Sequence, residues 1–231
     1  MGLFGDDEAY KRDLELRRVK RAALMGKWVT VLFWLQIVSI VGDVFSSDFL
    51  ENVPVIYFLG VLITYGVMIA NSVILIRLKE VEDWFGKAGI CYLVSGCSGL
   101  VIAFFLLGGA GVMATLLSLA MTIVALRGNY NECTGYEVSL QDVDKTLSEA
   151  WAVQWKLELT CILSTVGVTV LGIIGTAIAG GAFLLIMIVL LLVVAIASLV
   201  IAIRRLIYIY RAAECFRNYE PNPIVEQKDT Y

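Results

Sequence analysis

Hydrophobic and polar positions alternate along this chain in long blocks rather than in short periods. Apolar blocks cover 28–45, 54–76, 88–107, 110–126, 157–179 and 182–203, and the polar segments between them alternate between short turns and longer basic stretches. The last block, AFLLIMIVLLLVVAIASLVIAI, carries no charge, and Ser198 is its polar group. At about 1.5 Å per residue it spans roughly 30 Å as a helix, the thickness of a bilayer's hydrocarbon core. It is apolar on every face, so lipid is its natural solvent. The pattern predicts an all-α fold: a polytopic transmembrane helical bundle, six spans in three hairpins, with cytosolic helical extensions.

The blocks differ in how they are joined. Gly180-Gly181 and Gly108–Gly111 offer tight turns, and Ser46–Val53 is a short loop before Pro54, which opens the second span where its missing amide costs little. Residues 1–27 pair Glu8 with Arg12 and Asp13 with Arg17 four apart, and predict a helix over Ala9–Met25 running into the first span. The connection 127–156 reads in two parts. Arg127–Val138 is polar and is expected to be irregular. From 139 to 157, Leu140, Val143, Leu147, Trp151 and Trp155 recur every three or four residues. That stripe predicts an amphipathic helix, capped near Ser139 or by Thr146 with Glu149, and docked at least partly on the membrane surface. The alternative is that it continues straight into the fifth span. After the sixth span, Leu206–Tyr219 keeps helical spacing, and Pro221 and Pro223 end it.

Charge sets the orientation. All 18 lysines and arginines fall in four segments, 1–27, 77–87, 127–156 and 204–231, and none lies in the three opposite turns. Placing those segments in the cytosol satisfies the positive-inside bias throughout, with both termini cytosolic in a plasma (inner) membrane. The basic N-terminal segment serves topology, or additionally binds anionic lipid. It has no secretory cleavage pattern, and Met1-Gly2 lacks the Ser or Thr of a myristoylation signal, Asp6 standing there instead. Trp28, Trp84, Trp151 and Trp155, with Phe85, are expected to anchor the spans at the membrane interface.

Composition narrows the chemistry. The 231 residues are 59% hydrophobic and 17% charged, too apolar for an ordinary soluble domain. Histidine is absent, which removes Ser-His, Cys-His and His-metal chemistry. Five cysteines show no metal-knuckle spacing and read as small apolar residues. Asp142-Val-Asp144-Lys-Thr146 starts like a calcium loop but lacks its glycine and its twelfth-position glutamate. No catalytic residue, cofactor site or metal site is expected, and the dispersed basic residues do not describe a nucleic-acid surface.

Within the spans, Gln36, Ser39 and Asp43 share one face of the first, and Tyr57, Thr64 and Asn71 share one face of the second. These two stripes line a polar pathway or bond packed helices to each other. Small residues mark close helix contacts: Ser95 and Gly99 on the third span, and Gly172, Gly175, Thr176 and Ala179 on the fifth. They are expected to place those spans at the centre of the bundle or in an oligomer interface. The chain therefore reads as a non-catalytic integral membrane protein, not an enzyme. It is expected to act through helix–helix association, as a homo-oligomer or with a membrane-protein partner, or by binding cytosolic partners. The alternative is a small-solute or ion channel or transporter subunit.

Overall fold

The computed structural model describes residues 3–46, 53–107, 111–179 and 181–219, all helical apart from short turns. Six helices follow in order: α1 (Leu3–Phe45), α2 (Pro54–Leu78), α3 (Asp83–Leu107), α4 (Gly111–Leu140), α5 (Lys145–Ala179) and α6 (Gly181–Arg217). Five of them are long and apolar enough to cross a membrane: α1, α2, α4, α5 and α6. The Ser46–Val53 loop, the Gly108–Gly111 turn and the proline-bearing tail lie largely or wholly outside the described residues, as does Gly180.

Each helix packs on its neighbours in the chain, and α6 closes back on α1. The result is a ring of antiparallel helices in chain order. Two glycines show how close the walls come. A Cβ on Gly89 of α3 would stand 2.7 Å from the Ser72 carbonyl oxygen of α2, and one on Gly26 of α1 would stand 3.1 Å from the Arg217 backbone nitrogen of α6. At Gly89 an added Cβ would force the helices apart, and at Gly26 it would press the facing backbone by a few tenths of an ångström. The small-residue stripes sit in the same kind of wall and do not mark a central helix. Gly99 faces the Tyr65 ring of α2, while Gly172 and Gly175 face Met187 and Phe183 of α6.

The core lies at one end of the ring, the end that carries the basic residues. Met25 and Val29 of α1, Leu75 and Leu78 of α2, Phe85 of α3, Tyr136 and Leu140 of α4, Leu147 and Trp151 of α5, and Ile209 and Ala212 of α6 are all but inaccessible. Their aromatic members meet across the lumen. Tyr136 stacks on Trp151 with centroids 4.3 Å apart, Phe85 meets Tyr136 edge-on at 5.1 Å, and Tyr208 lies 6.0 Å from Trp151. Toward the other end the helices expose apolar side chains outward, among them Val112, Leu119, Leu163 and Leu199. Such surface needs lipid around it.

Several sequence expectations change here. Arg127–Val138 is not irregular: α4 continues through it to Leu140. Its polar side chains are needed inward, where they pair with other helices. The 139–157 segment does not form a separate surface helix. After the Gln141–Asp144 turn, α5 runs unbroken from Lys145 into its apolar stretch. Its cap is neither Ser139 nor Thr146 but Asp144, whose Oδ1 accepts from the Leu147 amide at 3.0 Å. Trp151 and Phe85, expected at the interface, are 0% exposed and form the core. The stripe that suggested a membrane-facing surface faces protein instead. The N-terminal helix is likewise one piece with the first apolar block, as α1.

Candidate functional site: a buried ion-pair layer across four helices

Neighbouring side chains fix the register around the ring. Arg77 lies over the Trp28 ring and Thr64 bonds Asp43, so Gln36 of α1 and Asn71 of α2 fall level with each other between those pairs. Contacts of Gly89 with Ser72 and of Gly128 with Cys91 and Tyr92 carry the level onward to α3 and α4. Tyr130 against Trp155 and Cys161 against Ser198 bring it to α5 and α6. At this level sits Arg205, just past the apolar block of α6.

Arg205 is the hub. Its Nη2 donates to Glu132 Oε2 of α4 at 2.6 Å, and its Nη1 lies 3.3 Å from Glu158 Oε2 of α5. The same Nη1 donates to Asn129 Oδ1, whose amide nitrogen in turn donates to Glu158. The Tyr92 hydroxyl of α3 donates to Glu132 Oε2 at 2.8 Å. Gln154 Nε2, one turn before Glu158, donates to Glu158 Oε1 at 2.8 Å and to the Ile201 carbonyl of α6 at 3.1 Å. The side chains of Glu132 and Glu158 are 5% and 10% exposed, and that of Arg205 is 19% exposed. A guanidinium fits this place because its planar fork reaches two carboxylates and an amide at once.

Local sequence explains how each helix supplies its part. Glu132 and Tyr136 stand four apart on α4, so the acid and the core tyrosine share one face, with Asn129 a turn earlier. Gln154 and Glu158 repeat that spacing on α5, with Trp151 a turn before them. Beneath the layer, Phe85, Tyr136, Trp151 and Tyr208 pack as described above. Further along α3 from the layer stand small, uncharged groups: the buried Ser95, and Gly99 against the Tyr65 ring.

The residues singled out from sequence divide between this layer and the walls. Asn71 lies at its level, and its Oδ1 is buried without a protein partner. Gln36 is half-buried. Ser39 is also half-buried, and Asp43 is exposed and accepts from Thr64 Oγ1 at 3.0 Å, a bond between α1 and α2. Ser95 is 6% exposed. For Tyr57, Thr176 and Ala179 the structure describes the helical backbone alone. Trp28 and Trp84 each carry a cation over the ring, Lys27 and Arg77 on the first and Lys87 on the second. Trp155 packs on Tyr130, and Trp151 belongs to the core.

Sequence reasoning missed the layer itself. Glu132 is one polar residue of the 127–156 connection and Arg205 one of the cations after the last apolar block, and no local pattern marks either. One signal was present: Glu158 and Arg205 border the two arms of the last hairpin, so an antiparallel pairing brings opposite charges level.

The arrangement can hold four helices in one register and can stabilise charge in a dry setting. Among the described residues no group of three or more acids and cysteines is placed to hold a metal ion. No protein-family model, curated protein or solved structure matches this chain.

Proposed function

We propose that the protein is a non-catalytic, multi-pass membrane scaffold that presents its charged end, as one rigid head, to a protein partner or a second copy of itself. In this reading it crosses the plasma (inner) membrane six times in three hairpins, and both chain ends are cytosolic. α3 supplies the sixth crossing with its 25 residues. Cation–aromatic pairs support the orientation: Trp28, Trp84, Tyr130 and Tyr208 each hold a Lys or Arg over the ring near the level of Arg205. That is the chemistry of a headgroup zone.

The observation that carries the proposal is the continuous core at the charged end. All six helices contribute large or closely packed side chains there, with the ion-pair layer directly above. A sealed core favours a rigid platform over a conduit. The rim around it is well suited to a polar partner, with a cavity of about 220 Å³ lined by Arg18, Arg21, Glu82 and Asp142.

A transport subunit is the second reading, favoured by the polar layer inside the ring. Reconstituted vesicles separate the two. The scaffold reading expects no sodium, potassium or small-solute flux above that of empty liposomes, and flux abolished by Arg205→Leu would replace it with transport.

A further inference from the structure

The layer around Arg205 does not close on itself in charge or in hydrogen bonds. Two carboxylates, Glu132 and Glu158, face one guanidinium, which leaves one negative charge over. Other cations on α4, α5 and α6 are engaged elsewhere: Arg127 lies over Tyr130, Arg204 over Tyr208, and Lys156 is exposed. An uncompensated buried charge is strongly unfavourable, and proteins answer it with a counter-charge or by protonating the group.

Three of the nine buried polar atoms without a protein partner among the described residues belong to this place. Gln154 is 0% exposed; its nitrogen holds Glu158, while its Oε1 has no partner. Tyr136 is also 0% exposed, and its hydroxyl has no partner although it lies in the field of Glu132 and Arg205. Arg205 Nε is a third such atom. Buried polar groups in native proteins are nearly always satisfied, by protein, water or ion. Several together, beside an excess carboxylate, point to a guest with positive charge and water of its own.

We propose that this layer binds one partly hydrated monovalent cation. The carboxylates of Glu158 and Glu132 and the oxygens of Gln154 and Tyr136 form its ligand set. A water on the ion accepts from Arg205 Nε. The donors are all hard oxygens, which suit an alkali cation and not a thiophilic metal. A single charge balances the layer, whereas a divalent ion would leave it with the opposite excess. The inference does not depend on the scaffold reading, since a scaffold or a transport subunit would hold the ion equally.

The test uses the full chain purified in detergent. Choline chloride is replaced by sodium chloride at constant ionic strength, with lithium and potassium chloride as further arms. Thermal unfolding and sodium-23 line broadening are followed. The expected result is a saturable rise in Tm of several degrees with at least one alkali cation, and line broadening corresponding to about one site per chain. Glu158→Gln and Gln154→Leu should lose both effects, while the exposed Asp13→Asn retains them. Equal melting in choline and in all three alkali salts overturns the proposal. So does a rise that survives in Glu158→Gln. Should the layer variants fail to fold, the wild-type series decides alone: saturation at about one site per chain in the sodium-23 signal supports the site, and a Tm rise that stays linear in salt without saturable broadening overturns it.

Discussion

Replacing Arg205 by leucine tests the ion-pair layer most directly. The change removes the guanidinium that Glu132 and Glu158 share, and both carboxylates stay where they are, 5% and 10% exposed. Breaking a buried pair from one side costs about 3–5 kcal/mol, because a charge is left without its partner. For a chain of this size, 1 kcal/mol moves Tm by roughly 2–4 °C, so the fall should be about 6–20 °C. Arg205→Lys should recover only part of it, since one ammonium cannot fork to Glu132, Glu158 and Asn129 together. The triple variant Arg205→Leu, Glu132→Gln, Glu158→Gln should recover most of it, since nothing buried is then ionised. The assay is thermal unfolding of the purified protein in one detergent at one salt concentration. If Arg205→Leu melts within about 2 °C of wild type, the layer behaves as a solvated surface pair, worth at most about 1 kcal/mol, and the argument from burial fails.

Two further substitutions probe the walls and the core. Gly89→Ala forces a Cβ to 2.7 Å from the Ser72 carbonyl and 2.9 Å from the Ile76 nitrogen, so α2 and α3 must part, at a cost of about 1–3 kcal/mol read as lowered Tm. Gly66→Ala is the matched control: nothing lies within 4 Å of the added atom, and Tm should hold or rise slightly. Trp151→Ala should cost about 3–5 kcal/mol by leaving a hole against Tyr136 and Tyr208, with Trp151→Phe much milder. A tryptophan lying among lipid headgroups would show no such gap between Ala and Phe.

The membrane-scale pattern was legible because it needs only hydropathy and length. Apolar blocks of 17 to 23 residues can hardly be anything but helices, and an all-helical chain with several helices able to cross a membrane is what the structure contains. The errors fall where polarity was equated with exposure. Asn129, Glu132 and Tyr136 made 127–138 look like a loop, yet Asn129 and Glu132 bond partners on α3, α5 and α6, and the Tyr136 ring packs on Phe85 and Trp151. Trp151 and Trp155 made 139–157 look like a surface helix, although the stripe they form faces α4. A single sequence shows which face of a helix is apolar, but not whether lipid or protein covers it. Arg205 and Glu132 are 73 positions apart. No local periodicity reaches that far; the pairing depends on the ring closing in chain order.

The unbroken length of α6 has a mechanical consequence. Its 37 residues, at about 1.5 Å each, make a rod of roughly 55 Å, far longer than a hydrocarbon core about 30 Å thick. Such a rod works as a lever with its fulcrum at Arg205. The arm beyond Arg205 is packed into the core through Ile209, Ala212 and Phe216, so when a bilayer thins and an over-long helix leans to compensate, a lean of about 5°, worth about 1.6 Å at the tip over its last dozen residues, must carry α1 with it. Stretching the membrane would thereby load the α1–α6 contact where Gly26 meets Phe216 and Arg217.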